Sequence, residues 1–134
     1  TGILDGDAGT KAMAIAEGKA SLSPMIMVGR GILCNILVVL AVWIATSSQD
    51  VISKLFACWF PIMLFVLCGF EHSVANMYFI PAGMLLGAKV TMGALIKNLL
   101  CVTIGNILGG AIIIPGLYHS VYLKDQLVAS KQES

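Results

Sequence analysis

Three apolar blocks joined by short polar connections organise this chain. The first runs from Pro24 to about Thr46, PMIMVGRGILCNILVVLAVWIAT. At about 23 residues it is long enough to cross the ~30 Å hydrocarbon core of a bilayer with some tilt. Ser23 and Pro24 make a good N-cap and first-turn pair for a helix beginning there. The polar stretch SSQDVISK follows. The second block, residues 55–87, holds about 33 residues, too many for one straight span at ~1.5 Å per residue. The third, residues 98–123, reads NLLCVTIGNILGGAIIIPGLYHSVYL. Residues 1–22 are mildly amphipathic and suggest a loop or short helix at an interface. Residues 124–134 form a polar tail. The pattern predicts one all-α integral membrane unit with three transmembrane segments.

The excess length of the second block has a reading. It contains Pro61, Gly69, Pro81 and Gly83, and between the prolines lies GFEHSVANM, with a glutamate, a histidine, a serine and an asparagine within six residues. Proline removes a helix hydrogen bond and glycine permits unusual backbone angles. The middle segment is therefore expected to be a broken helix, two halves with a gap. Inside a membrane such a break persists only where protein or a water-filled cavity satisfies the freed backbone groups. Ionisable groups at that depth are costly and point to function. The polar cluster is expected to face a pathway, as in transport folds whose discontinuous helices carry the substrate site.

Composition supports this frame. The chain of 134 residues is 58% hydrophobic and 11% charged, with mean hydropathy +0.93. A soluble domain carries about 25% charge. A net charge of +1 offers no basic face for nucleic acid. Cys34, Cys58, Cys68 and Cys101 all lie within apolar blocks, without CxxC spacing, and are expected to pack as small hydrophobes. No metal-ligand cluster, nucleophile–base pair or phosphate loop is present in the pattern, so neither an enzyme nor a metal or cofactor site is expected. Three spans would put the two ends of the chain on opposite sides of the membrane. Lys54, Lys124 and Lys131 would share one side and Lys11, Lys19, Lys89 and Lys97 the other, which leaves the orientation open.

The segment GFEHSVANMYFIPAG resembles the fifth-helix motif of the formate/nitrite transporter family. RGILCNILVVLAVW resembles that family's fourth helix and NLLCVTIGNILGG its sixth. The likeness runs in order from about Lys19 to Leu123. It departs at Val39, where a cysteine is common, and at Leu100-Cys101, where Ile-Pro is usual. The resemblance implies a protomer of six helices built as two inverted halves in an aquaporin-like fold, assembled as a homopentamer in the cell's inner or plasma membrane. This chain would be its C-terminal half, with a cytoplasmic tail. It would need the N-terminal half as a partner, together with the lipid bilayer and a small anion.

The resemblance also assigns residues. His72 corresponds to the family's pore histidine. An unperturbed pKa of about 6.5 makes proton exchange accessible near neutral pH, so it could donate to an anion or relay a proton. Phe65, seven residues earlier, matches an apolar constriction, and Lys19 matches a vestibule lysine that would draw anions in. Asn76, four residues after His72, would share its helix face and either bind the anion or hold the loop. A carboxylate facing an anion path would repel it, so Glu71 is expected to tie down the broken helix, with Ser73 and Gly69 as local structural residues. Arg30 is expected to pair at an interface or snorkel, in a structural role. Gly105 and Gly109 form GxxxG, followed by Gly110, and suggest close helix packing. Asn106 would satisfy polar groups nearby, and His119 would be interfacial.

Two function classes follow. The first is a channel or proton-coupled transporter for small monovalent weak-acid anions such as formate, nitrite or hydrosulfide. The second is a structural or assembly membrane subunit without a pathway of its own. A polar cluster inside a broken helix favours the first.

Overall fold

The computed structural model describes Gly2 and residues 6–123, and within them every regular element is helical. The tail at 124–134 lies outside the described residues, and so do Lys124 and Lys131. Helix α1 spans Asp7–Ser21, α2 Pro24–Ser47, α3 Val51–Leu67 and α4 Ser73–Leu85. The last helix, α5, runs continuously over Met92–Leu123. It is α-helical to Ile107 and widens into π-helical turns over Leu108–Ile113 and again over His119–Leu123. Between them sits Pro115, whose missing N–H and clash with the preceding turn disfavour a regular ladder.

Helices α2 and α5 are long and apolar enough to cross a membrane, at 24 and 32 residues. Helices α3 and α4, with 17 and 13 residues, are the two parts of the second apolar block. The break between them lies at residues 68–72. Pro61 and Pro81, which flank the polar cluster in sequence, sit inside the helices instead.

Several boundaries differ from those the hydropathy pattern suggests. The helix of the second block begins at Val51 because Asp50 caps it, its carboxylate accepting from the Ser53 N–H at 2.8 Å. The helix of the third block begins at Met92, where the Thr91 hydroxyl accepts from the Ala94 N–H at 3.2 Å. Polar caps extend helices past the edge of an apolar run. Ser23 occupies the N-cap of α2, but its side chain makes no cap bond, and Pro24 sets the start. Residues 7–21 form a full helix packed against α4, where Gly83 lies against Ala16 and the Ala12 carbonyl.

The core is a seam between α2 and α5. A Cβ at Gly105 would collide with the Val28 carbonyl oxygen, and one at Gly109 with the Ile32 carbonyl oxygen. The two backbones are therefore in direct contact, which only glycine allows. Gly110 sits against the Asn35 side chain. Along α5 the residues Asn98, Val102, Gly105, Asn106 and Gly109 are all buried, at three- and four-residue spacing on one face. Helix α3 packs on α2, and α4 packs between α1 and α5. The outer faces of α2 and α3 carry exposed apolar residues such as Trp43, Leu55, Phe56 and Trp59.

Candidate functional site

The break between α3 and α4 is held from several directions. Its backbone groups can be followed one at a time, because an unpaired buried amide is costly. The N–H groups of Cys68, Gly69 and Phe70 donate to carbonyls of the last turns of α3: Leu64, Val66 and Phe65. Gly69 has φ +64°, the left-handed conformation that lets the chain leave the helix. The Glu71 N–H donates to the Arg30 carbonyl at 3.4 Å, and the Arg30 guanidinium donates to the Gly69 carbonyl at 3.4 Å. The Ser73 N–H, first in α4, donates to the Asn106 side-chain oxygen at 3.0 Å. The Asn106 amide nitrogen donates to the carbonyls of Gly31 and Glu71, at 2.9 and 3.0 Å. One asparagine of α5 thus supplies the partners that a continuous helix would have supplied itself.

The residue just before α4 sets the direction of the side chains. His72 is its N-cap, with φ −116° and ψ 120°. In extended backbone, neighbouring side chains point to opposite sides. Glu71 points inward and is 2% exposed. One of its carboxylate oxygens accepts from the Lys19 ammonium at 2.9 Å, the other from the Asn76 amide at 2.6 Å. The same Asn76 amide nitrogen donates to the Asn98 side-chain oxygen at 2.8 Å. Asn98 in turn donates to the Lys19 carbonyl at 3.0 Å. A closed polar network therefore joins α1, the break, α4 and α5. A buried ion pair with charge-assisted hydrogen bonds on both carboxylate oxygens offsets much of its desolvation. One atom is left over: the Asn76 side-chain oxygen is buried and has no hydrogen-bond partner among the described residues.

His72 points the other way. It lines a cavity of about 300 Å³ together with Phe65, Val66, Ala75 and Phe79 of the two half-helices, with Lys19 and Ile15 of α1 at its edge. The Phe65 and His72 rings are near-parallel, with centroids 6.1 Å apart. The Lys19 ammonium lies 5.9 Å from the centre of the Phe79 ring. Among the described residues no hydrogen bond reaches the His72 ring. A half-buried imidazole beside apolar walls keeps its donor and acceptor available to whatever enters.

The helical rule that places residues four apart on one face does not hold for His72 and Asn76, because His72 lies outside the helix. Asn76 is fully buried behind the break and its amide is engaged by Glu71 and Asn98. Lys19 edges the His72 cavity, but its charge is paired with Glu71. Asn98 was missed by the sequence reading; its signal is a polar side chain on the buried face it shares with Gly105 and Asn106. Arg30 contributes both its carbonyl and its guanidinium to the break. Among the described residues no group of three or more metal-ligating side chains converges.

Comparison with known proteins places this arrangement. Residues 1–120 match the formate/nitrite transporter family. The chain is 46% identical to a probable formate transporter of Methanothermobacter thermautotrophicus, covering 93% of this chain and 51% of that protein. It is 41% identical to the formate channel BtFdhC of Bacillus thuringiensis, over 92% of this chain and 47% of the relative. It is 32% identical to the formate channel FocA of Escherichia coli, over 90% and 49%. A solved pentameric formate channel with formate bound superposes with TM-score 0.82 at 32% identity, covering 92% of this chain and 56% of that one. The chain spans about half the length of the curated relatives it matches. The sequence likeness and the shared helical structure agree: this chain belongs to the formate/nitrite transporter family.

Proposed function

We propose that this chain contributes one half of the pathway of a membrane channel or proton-coupled transporter for small monovalent weak-acid anions. Formate is the first substrate to test, with nitrite and hydrosulfide as alternatives. The observation that carries this reading is His72: an imidazole at a helix break, on an apolar cavity of about 300 Å³, with a paired ammonium at the edge. The names of the relatives, formate channels and transporters, support the substrate class.

In this reading α3, the break and α4 together form the middle of three spans, and the chain is the C-terminal half of a six-helix, aquaporin-like protomer. The protomer assembles as a homopentamer in the inner or plasma membrane, with the tail after Leu123 in the cytoplasm. The pentameric formate channel that this chain resembles supports the assembly state. The helices of the other half close the cavity that this half leaves open.

The chemistry follows from the cost of charge in a dry constriction. An anion between Phe65 and Phe79 would lose most of its hydration. A hydrogen bond from His72 would offset part of that loss. A proton delivered there would let a weak acid pass as its neutral form and shed the proton beyond. Glu71 and Asn76 hold the break from behind and leave His72 free to act. Whole-protomer proteoliposomes test this with formate, nitrite and hydrosulfide at two pH values, beside His72→Phe. The expected result is flux whose rank order follows weak-acid protonation and which loses its pH dependence in the variant. Absence of flux for all three anions from folded, oligomeric protein would favour an assembly subunit.

A further inference from the structure

A second cavity, of about 250 Å³, adjoins the His72 cavity and shares Ile15, Lys19 and Gly69 with it. Leu22, Arg30 and Glu71 also line it. The charges here do not balance as the residue types suggest. Lys19 and Glu71 form an ion pair at 2.9 Å, so together they present almost no net field to an approaching ion. Arg30 is half-buried, and among the described residues its guanidinium hydrogen-bonds only a neutral acceptor, the Gly69 carbonyl, at 3.4 Å. Among the described residues no carboxylate lies within ion-pair distance of it; the Lys19–Glu71 contact is the one salt bridge there. The acidic residue at this end of α1, Glu17, accepts from the Lys89 N–H at 2.7 Å. The unmatched charge at this mouth therefore belongs to Arg30.

We propose that Arg30 is the residue that gathers small anions at this entrance, in a site between Arg30 and Lys19 that hands them across Gly69 to the His72 cavity. The proposal rests on the transport reading above and adds a site to it. The space suits a small oxyanion with part of its hydration shell, since one water takes up about 30 Å³ of liquid volume. A guanidinium presents donors in a fork that matches a carboxylate or nitrite, and one edge is enough to hold Gly69. A cation with no carboxylate partner raises the local anion concentration, an effect that salt screens over about 10 Å at 0.1 M.

The test uses the full-length protein. With formate well below saturation, Arg30→Gln is expected to slow initial flux into proteoliposomes by roughly three- to tenfold, the effect of one unit charge at such distances. The remaining flux should respond weakly to added salt, and Arg30→Lys should restore most of the rate and the salt response. Leu22→Glu, which sets a carboxylate in the cleft without touching the Gly69 contact, should be several-fold slower than Leu22→Gln, which alters the same side chain without a charge. That pair decides the question if Arg30→Gln fails to fold. Wild-type rate and salt response in Arg30→Gln would overturn the proposal. So would Arg30→Lys behaving like Arg30→Gln, which would make Arg30 a clamp on the break alone. Line broadening of ¹³C-formate by solubilised protein reads occupancy without transport. Broadening that is unchanged in Arg30→Gln and Leu22→Glu overturns the site even if no flux is seen, and reduced broadening supports it when the transport reading itself has failed.

Discussion

The two sides of the helix break use adjacent residues to opposite ends. Behind it, Glu71 is buried and both its carboxylate oxygens are engaged, by Lys19 and Asn76. In front, His72 sits in an apolar cavity and makes no ring hydrogen bond among the described residues. One extended residue separates the two environments, since side chains alternate along extended backbone. The contrast shows how a polar group can be kept unsatisfied in an apolar setting. The rear network supplies partners to the backbone and charged groups of the break without drawing on the His72 ring.

That contrast can be broken from behind. Glu71→Ala leaves the Lys19 ammonium and the Asn76 amide without their acceptor, and removing one partner of a buried pair costs about 3–5 kcal/mol. Thermal unfolding in detergent should show this loss, and Glu71→Gln, which keeps an acceptor, should lose less. Equal stability in wild type and Glu71→Ala would mean that the rear network does not hold the break. Next in size is Gly105→Ala. Its Cβ would meet the backbone of α2, and overpacking a close seam costs about 1–3 kcal/mol. Gly18→Ala, also inside a helix but with nothing within 4 Å of the added carbon, is the control for helix propensity alone. If both substitutions shift the unfolding temperature equally, the seam is not the source.

From the front the expected effect is small. His72→Phe should change stability by no more than about 0.5 kcal/mol, because no native bond is lost, while it alters flux. A large destabilisation would show that His72 is structural glue like Glu71. Smallest is the cap far from the break. Two hydrogen bonds from Ser53, one from its hydroxyl and one from its N–H, hold the Asp50 carboxyl below the usual carboxylate range. Its contribution is fully present above the unfolded value of about 3.9 and is lost as pH falls through the lower folded value. Asp50→Asn should therefore differ slightly from wild type at neutral pH, with the difference shrinking as pH drops toward 3. A gap that persists unchanged at acid pH would point to a cause other than the carboxylate.

Legibility in the sequence was uneven. The long apolar runs, the all-helical class and the existence of a break could be read from hydropathy, block length and glycine placement. The polar cluster stood out because such residues are costly in an apolar run. What each does could not be read the same way. The spacing of His72 and Asn76 suggests one face, yet the chain is extended at His72 and the two side chains diverge. The charge on Lys19 suggests an anion attractor, yet Glu71, 52 positions away, neutralises it. Asn98 looked like the start of an apolar block and is instead a member of the network. Arg30 suggests a structural residue that pairs at an interface or snorkels, and its guanidinium contacts the break.

The sequence by itself determined local things: where helices can form and where Gly69 lets the chain turn. These depend on a few neighbouring residues and on apolar periodicity, which is visible in one dimension. Only the tertiary structure decided which partners the polar groups meet. Asn106 reaches residues 35 and 33 positions away in Glu71 and Ser73, and the close approach of α2 and α5 brings it there. A hydrogen bond acts over about 3 Å whatever the separation along the chain. The fate of each buried charge therefore rests on packing, and with it which side of the break is a closed polar network and which faces a cavity.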